Sequence, residues 1–215
     1  MKSEKTKVEM VDGVEYTYSS EWIKELETEE HWKLYWQQQK LMQTYLRPKD
    51  TILEIGVGTS FTANYLKSKG FDVLTFDIDK AKQPDIVGNI VEHNWQDSQY
   101  SHILAFEVFE HIPFEEFKKS LIKLKKVCKK NIFISLPLNE KLLFEFEFKI
   151  PKFKKNHLRF PIAKNKITTL NHFWEIGYEK YSEAFVETMF KESGYNLVEK
   201  LQKSSFIYYV LSTND

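Results

Sequence analysis

The stretch LEIGVGTS, residues 53–60, decides the fold of this 215-residue chain. Two of the chain's seven glycines, Gly56 and Gly58, lie here between an apolar run and a helix-like segment. Glycine allows a tight turn and lets the backbone come close to a ligand, and a helix that follows offers free N–H groups in its first turn. The stretch therefore predicts a strand, a ligand-binding turn and a helix.

Strands and helices alternate from this turn onward. The apolar pattern predicts strands over 51–55, 72–76, 85–87, 102–106, 132–136, 197–199 and 206–211, and helices over 60–69, 114–128 and 182–191. This alternation is typical of an α/β, Rossmann-like doubly wound fold, in which helices cover both faces of a mostly parallel seven-stranded sheet. Ligands of such sheets bind beyond the carboxyl ends of the strands, which is where LEIGVGTS lies.

Two segments fall outside the alternation. Residues 1–20 are polar and are interpreted as a loose arm, and residues 21–46 predict a helix that Arg47-Pro48 ends. We assign residues 1–47 to this N-terminal arm and helical cap, and residues 48–215 to the main domain. Residues 138–175 interrupt that domain, and we interpret them as a lid inserted after the fifth strand.

Composition excludes several classes of protein. The formal charge is zero, with 31 basic and 31 acidic residues, so no global field favours nucleic acid. The single cysteine, Cys128, excludes a disulfide framework and a cysteine metal site. The first residues lack the apolar segment of a signal peptide, and no apolar run has the length of a membrane span. We expect a cytoplasmic protein, either a monomer or a homodimer.

The ligand of the glycine turn is expected to contain a ribose. Asp77 lies 21 residues after Gly56, at the end of the second predicted strand, where an acid can bind both hydroxyls of a ribose. Phe61 stands where the nicotinamide fingerprint needs its third glycine, which disfavours a nicotinamide reductase. Glu54 instead places a carboxylate near the turn, which suits a cation. S-adenosylmethionine is such a ligand, because it has a sulfonium, an ammonium group and no phosphate.

Four motifs in register carry a resemblance to a known family. The segments LEIGVGTS, VLTFDID, DIVGNI and ILAFEVFEHIP follow one another in this order. Together they resemble the class I, seven-strand S-adenosylmethionine-dependent methyltransferases over residues 48–212, and in particular the group with an E-V-x-E-H motif after the fourth strand. Ser60 departs from a third glycine that is frequent in the family. Asn89 replaces a frequent aspartate that accepts the adenine amino group, and an amide can accept the same bond.

The resemblance implies S-adenosylmethionine as the cofactor and a set of residues that bind it. Gly56 and Gly58 would pass under the methionine part, Asp77 would hold the ribose, and Phe106 would lie near the transferred methyl group. Ile78 would lie against the adenine face. The complete set of implied cofactor-binding residues is Glu54, Gly56, Gly58, Asp77, Ile78, Asn89, Ile90 and Phe106.

An acidic and histidine-containing cluster follows the fourth predicted strand, where the acceptor is expected. Glu107, Glu110 and His111 would suit a divalent ion, and His172 in NHFWE is a candidate to complete that site. Some relatives, the ubiquinone-pathway O-methyltransferases and the small-RNA 2′-O-methyltransferases, bind a metal with equivalent residues. Many others with this pattern use none, and the Glu–His pair then caps the next helix. We expect no metal and assign His111, Glu107 and His172 as catalytic, with His111 as the general base.

The inserted segment allows two interpretations of the acceptor. Residues 144–166 are aromatic and then basic, which fits an anionic or sugar-like acceptor stacked on Phe153, His157 and Phe160, or else a solvated lid. Trp174 could likewise stack on a sugar or anchor the core.

The sequence as a whole favours methyl transfer from S-adenosylmethionine to a small polar acceptor, at oxygen. Residues 135–138, Ser-Leu-Pro-Leu, lack the Asp/Asn-Pro-Pro-aromatic motif of enzymes that methylate nucleic-acid amino groups. A carbohydrate or phosphorylated metabolite is therefore favoured over nucleic acid. Two alternatives stay open: a non-catalytic, methyltransferase-like binding or partner subunit, and an RNA ribose 2′-O-methyltransferase with a divalent metal.

Overall fold

The computed structural model describes residues 7–11, 14–18, 28–97, 99–148, 156–167, 169 and 171–214. In chain order the helices and strands are β1 Lys7–Val11, β2 Val14–Tyr18, α1 Glu29–Gln43, β3 Thr51–Ile55, α2 Phe61–Ser68, β4 Asp72–Asp77, β5 Ile86–Val87, β6 Tyr100–Phe106, α3 Phe114–Val127, β7 Cys128–Pro137, β8 Glu140–Phe148, β9 Asn156–Ala163, α4 Glu183–Glu192, β10 Asn196–Lys203 and β11 Phe206–Ser212.

A seven-stranded sheet forms the centre of the protein, in the order β10-β11-β7-β6-β3-β4-β5. The pairs among β5, β4, β3, β6 and β7 are all parallel, whereas β11 is antiparallel to both of its neighbours. The strand order reverses beside β3, so the carboxyl ends of β3 and β6 form the switch point where ligands of open α/β sheets bind. The predicted mostly parallel, seven-stranded sheet is confirmed.

Helices cover both faces of this sheet. On one face, Leu41 and Met42 of α1 and Leu66 of α2 pack against strand residues that include Ile52. On the other face the apolar stripe of α3, including Phe117, packs with α4 against the opposite sides of the strands. Each face therefore has its own core, as expected for a doubly wound fold. Cys128 is buried in the second core, in agreement with a structural role.

The N-terminal part differs from the sequence prediction. The predicted loose arm contains the antiparallel pair of β1 and β2, whose alternating Val, Tyr and Thr residues have high strand propensity. The helix begins at Glu29 rather than at residue 21, because the Thr28 hydroxyl accepts a hydrogen bond from the His31 backbone N–H at 3.3 Å and caps it. Residues 21–27, with Trp22, lie outside the described residues.

The insertion after the fifth strand of the sheet, β7, is a hairpin. Strands β8 and β9 form a separate two-stranded antiparallel sheet, with Phe144 opposite Phe160 and Glu145 opposite Arg159. Phe153 lies outside the described residues. Among the helices that the structure describes, none combines the length and the apolar character needed to cross a bilayer.

Candidate active site

The glycine turn follows β3 and needs glycine for two different reasons. Gly56 has φ 76° and Gly58 has φ 49°, so both lie in the left-handed region. A Cβ on Gly56 would lie 2.5 Å from Cγ2 of Val108, whereas a Cβ on Gly58 would meet no described atom within 4 Å. The first glycine thus packs against the segment after β6, and the second faces open space that a ligand can occupy.

Glu54 lies beneath this turn and fastens it to α2. Its carboxyl group accepts a hydrogen bond from the backbone N–H of Ala63, in the first turn of the helix. Burial, with a smaller contribution from the Asp77 charge, raises the pKa of Glu54 to about 8. One oxygen, Oε2, has no hydrogen-bond partner among the described residues. The predicted carboxylate beside the turn is therefore a buried group that is largely protonated near neutral pH until a cation approaches it.

Ser60 stands at the place of the family's frequent third glycine, directly before α2. It occupies the N-cap position of α2, but its side chain makes no capping hydrogen bond and its φ is 61°. A residue with a Cβ is strained in this left-handed conformation. The turn therefore keeps a glycine-like backbone at Ser60 without a glycine.

Asp77 joins the ends of the first two strands of the site. Its Oδ2 accepts from the backbone N–H of Val57 at 2.9 Å and its Oδ1 from that of Asp79 at 2.8 Å. The ammonium group of Lys82 donates to the same Oδ2 at 3.0 Å. The carboxylate is thus held rigidly against the glycine turn, at the edge where the predicted ribose would lie.

The residues predicted to surround adenine also lie at this edge. Asn89 is buried, and its Oδ1 accepts from the Val91 backbone N–H at 2.9 Å. Ile90 is buried beside it, and Ile78 is partly exposed directly after Asp77. Gly88, which sequence reasoning overlooked, holds this segment close to the sheet, because a Cβ there would lie 2.9 Å from the Phe76 ring.

Phe106 ends the fourth strand of the site, β6, and Glu107 follows it directly. Phe106 is partly buried at the strand end, as predicted from its position. Glu107 has φ 57°, and its backbone N–H donates to Ser135 O at 3.3 Å. Burial raises the pKa of Glu107 to about 7. Glu107 precedes the short 3₁₀ turn at Phe109–His111, so Glu107 and Glu110 do not share a helical face.

Glu110, His111 and His172 meet in one cluster. One ligand atom from each of these side chains lies within 4.8 Å of the others, and the two histidine rings are 4.9 Å apart between centroids. Glu110 is buried, and its Oε2 has no hydrogen-bond partner within the described part of the chain. Burial raises the pKa of Glu110, with smaller contributions from Glu107 and Glu175. The cluster brings together three of the four residues singled out from sequence, and Glu107 stands beside it.

Hydrogen bonds fix the orientation of both histidines. His111 Nδ1 donates to Asn171 O at 3.1 Å, and His172 Nδ1 donates to Glu175 Oε1 at 2.8 Å. In each ring the other nitrogen, Nε2, then carries the lone pair. Burial, followed by the nearby His172 and Lys82, lowers the pKa of His111 to about 4.

Sequence reasoning missed the groups that support this cluster. Glu175 is completely buried and also accepts from the side-chain amide of Asn139 at 2.6 Å. The three-residue spacing between His172 and Glu175 is compatible with a His–Glu pair. Neither residue lies in a regular helix or strand, so the spacing alone did not predict the contact. Lys82 was overlooked because a lysine-rich turn looks like solvated surface.

Trp174 is a core residue, which favours the core-anchor interpretation over stacking on a sugar. It is completely buried, its ring stacks on Phe117 at 5.2 Å between centroids, and its Nε1–H donates to Phe109 O and Ile112 O. The neighbouring Phe173 is more than half exposed. His157 likewise pairs with Glu145 at 2.6 Å on the hairpin instead of presenting a free ring.

Comparisons with known proteins relate this chain to methyltransferases. Residues 53–135 match the family described as Methyltransferase domain. No curated protein matches the chain. The matched segment runs from the start of the glycine turn to the fifth strand, and so contains every predicted cofactor-binding residue.

Solved structures share the fold across most of the chain. An S-adenosylmethionine-dependent methyltransferase from Aquifex aeolicus is 14% identical with a TM-score of 0.63, covering 92% of this chain and 100% of that chain. One from Clostridium acetobutylicum is 13% identical with a TM-score of 0.54, covering 88% and 94%. The glycopeptide N-methyltransferase MtfA complexed with (S)-adenosyl-L-homocysteine is 10% identical with a TM-score of 0.54, covering 82% and 88%.

Residues 53–135 thus resemble a methyltransferase domain, and the chain around them has the fold of the S-adenosylmethionine-dependent methyltransferases. The domain match and this fold together support a methyltransferase that uses S-adenosylmethionine.

Proposed function

We propose that this methyltransferase transfers the methyl group of S-adenosylmethionine to an oxygen of a small polar acceptor, sugar-like or anionic, with His172 as the general base. The observation that carries the proposal is the buried Glu175 carboxylate 2.8 Å from Nδ1 of His172. A carboxylate on one ring nitrogen directs the lone pair of the other nitrogen outward and stabilises the charge that the ring gains when it accepts a proton.

The two histidines have different roles in this proposal. A pKa near 4 makes His111 neutral at physiological pH and a weak base. His172 has the supporting carboxylate that His111 lacks, because His111 donates to a backbone carbonyl instead. We therefore assign proton removal to His172 and positioning of the acceptor to His111. The sequence alone had favoured His111 as the general base.

The cofactor residues supply binding and orientation. Asp77 would accept both ribose hydroxyls, the open space at Gly58 would receive the methionine part, and Phe106 would border the reacting methyl group. Bound S-adenosylmethionine supplies a methyl group on a sulfonium, which needs no further activation. The chain's task is to align the acceptor oxygen with the methyl carbon and the sulfur, and to exclude water. The oxygen–carbon bond forms as the carbon–sulfur bond breaks, and the acceptor proton passes to His172 Nε2.

A divalent metal is a second candidate for activating the acceptor, and one observation favours it. Glu110 Oε2 lacks a hydrogen-bond partner among the described residues, and the Nε2 lone pairs of His111 and His172 are free in the tautomers described above. The pairing of His172 with Glu175 is the carboxylate–histidine arrangement that supports metal ligands. The residues therefore fit a borderline divalent ion, which when bound would lower the pKa of an acceptor hydroxyl. Activation by a metal would extend the proposal to acceptors such as an RNA ribose.

The acceptor class is inferred from charge. The insertion is basic between residues 149 and 166, with seven Lys or Arg and no acid, which favours an anionic partner. One structure with the same fold is a glycopeptide N-methyltransferase, so the fold alone does not select oxygen over nitrogen. The histidine base selects oxygen in our proposal, because a hydroxyl must lose its proton during the attack, whereas a neutral amine attacks unaided.

Binding is the first test. Isothermal titration with S-adenosylmethionine and S-adenosylhomocysteine should show micromolar binding, and Asp77→Ala should weaken it roughly tenfold or more, about 1.4 kcal/mol. Asp72→Ala, at the exposed opposite end of β4, is the matched control and should bind like wild type. Failure of the wild type to bind either compound would favour the non-catalytic alternative.

Turnover with a panel of sugar, sugar phosphate, metabolite and RNA acceptors tests the chemistry. His172→Gln should lower kcat about 100-fold and leave cofactor binding intact, and His157→Gln, which breaks another histidine–glutamate pair, should be neutral. Loss of turnover in chelator, with recovery on adding Mg²⁺ or Mn²⁺, would select the metal version. Full turnover by His172→Gln would refute the assigned base.

A further inference from the structure

The β8–β9 hairpin exposes an apolar face to solvent. Opposite residues of the two strands lie on one side, with Phe144 facing Phe160 and Phe146 facing Leu158. The rings of Phe144 and Phe160 are 4.5 Å apart between centroids. The large side chains of this face, 43–55% exposed, are Phe144, Phe146, Phe148, Leu158, Phe160 and Ile162. We call these six residues the hairpin apolar face.

The other side of the hairpin is fixed to the protein by charged contacts. Arg159 contacts Glu140 and donates to Gln202 Oε1 at 3.0 Å, and Lys203 of β10 bridges Glu145 and Glu147 at 3.3 and 3.0 Å. These ion pairs hold the charged side against the β10–β11 turn. The hairpin apolar face is therefore directed away from the body, and the hairpin cannot bury it by turning over without breaking these pairs.

Charge is distributed unequally between the two sides of the hairpin. The three glutamates of β8 all lie on the fixed side, where cations pair with them. On the apolar side Lys141 is opposite Ile162. The sequence that joins the two strands, residues 149–155, adds four lysines and no acid. The described residues of the exposed side are thus apolar apart from Lys141, with no acidic residue among them, and the sequence that continues from Phe148 is basic.

We propose that the hairpin apolar face seats the protein on an anionic lipid bilayer surface. Aromatic and aliphatic side chains enter the boundary between headgroups and acyl chains, while lysines remain at the level of the anionic headgroups. A second copy of the chain is a weaker occupant. Six large side chains that are about half exposed offer on the order of 600 Å² of accessible surface, below the roughly 800 Å² that each partner contributes to a stable dimer.

The hairpin is coupled to the candidate active site at its base. The Asn139 side-chain amide donates to Lys166 O at 2.7 Å and to Glu175 at 2.6 Å, and Glu175 holds His172. A docked hairpin would hold the histidine cluster at a fixed distance from the lipid surface. The proposal goes beyond methyl transfer, because it depends on the hairpin contacts and not on the chemistry of the site.

Co-sedimentation with vesicles tests the proposal directly. Wild type should bind vesicles of phosphatidylglycerol and phosphatidylcholine in equal parts, bind pure phosphatidylcholine at least tenfold more weakly, and dissociate as salt is raised. The double variant Phe146→Ser/Phe160→Ser should lower binding to the anionic vesicles at least tenfold. The matched control, Trp36→Ser/Phe173→Ser, removes two aromatic side chains that are exposed elsewhere and should bind like wild type.

Three results would overturn the proposal: no binding of wild type to anionic vesicles, unchanged binding of the hairpin variant, or equal loss in the control. Light scattering that shows a dimer which the hairpin variant dissociates would assign the face to a second copy instead. Equal S-adenosylmethionine titrations for wild type and hairpin variant would show that lost vesicle binding is not misfolding. If the protein bound vesicles but no cofactor, the proposed methyl transfer would be refuted and the membrane-docking proposal would still be supported.

Discussion

The Lys82 ammonium group lies 3.0 Å from Oδ2 of Asp77, the carboxylate oxygen that also accepts the Val57 backbone N–H. This oxygen belongs to the group predicted to hold the ribose. The lysine side chain is mostly buried. Its positive charge also helps to lower the pKa of His111. Lys82 therefore lies at the candidate cofactor site, where a ribose hydroxyl bound as proposed must share Asp77 with it or displace it.

Replacing Lys82 should strengthen cofactor binding. In Lys82→Met the Asp77 carboxylate keeps its two backbone hydrogen bonds, one on each oxygen, and Oδ2 regains the acceptor position that the lysine occupied. Oδ2 then exchanges the hydrogen bond from the lysine for one from the ribose, a difference of about 0.5–1 kcal/mol, so the dissociation constant for S-adenosylhomocysteine should fall about two- to fivefold in isothermal titration. Lys40→Met on the exposed side of α1 is the control. Weaker binding by Lys82→Met would mean that the lysine itself contacts the cofactor.

Ser60→Gly should stabilise the protein. Ser60 has φ 61° and its side chain makes no capping hydrogen bond, so it carries the strain of a left-handed residue without a compensating contact. Glycine removes that strain, and we expect the free energy of unfolding in urea to rise by about 0.5–1 kcal/mol. Ser60→Ala keeps the Cβ and should show no gain. Equal stability of Ser60→Gly and Ser60→Ala would show that backbone strain is absent.

The sheet could be predicted from sequence because its signals are local. The apolar run that ends at Ile55, the glycines after it and the aspartate at position 77 define a strand, a turn and a second strand without reference to distant residues. The structure places all of these at one edge of the sheet. Residues of the cofactor site come from consecutive strand ends, so strand order alone brings them together.

The support of the histidine cluster could not be predicted, because it depends on burial and on segments without periodicity. His172 and Glu175 lie in a stretch without regular helix or strand, and Asn139 reaches them from 36 positions before Glu175. Trp174, between them, was open to a role in stacking on a sugar. Only the packing decides that this ring faces the core while Phe173 beside it faces solvent.

Trp174→Phe should destabilise the fold rather than weaken acceptor binding. The change removes the indole N–H that donates to Phe109 O at 3.1 Å and to Ile112 O at 3.2 Å, and it leaves part of the stacking volume against Phe117 empty. We expect a loss of about 1–3 kcal/mol in the free energy of unfolding. Phe173→Leu next to it should change this by less than about 0.5 kcal/mol. A higher acceptor KM with unchanged stability would restore the sugar-stacking interpretation.

Glu54 should make the stability of the cofactor-free protein fall as pH rises. Its folded pKa is about 8 because of burial, well above the value of about 4.5 in the unfolded chain, so the folded state holds a proton that the unfolded state releases. The resulting stability is complete below about pH 4.5 and is lost progressively up to about pH 8. Glu54→Gln, which keeps an acceptor for the Ala63 N–H, mimics the protonated form and removes this dependence.

The measurement is urea unfolding of both proteins between pH 5 and pH 8.5. The advantage of Glu54→Gln over wild type should be near zero at pH 5 and on the order of 3 kcal/mol at pH 8. Glu107, whose burial raises its pKa to about 7, contributes a slope of the same sign in both proteins and cancels in the difference. The control, Glu192→Gln at the exposed end of α4, should track wild type at every pH. A constant difference between Glu54→Gln and wild type across this range would mean that Glu54 is already ionised in the folded protein, with a cation or water reaching Oε2 beneath the glycine turn.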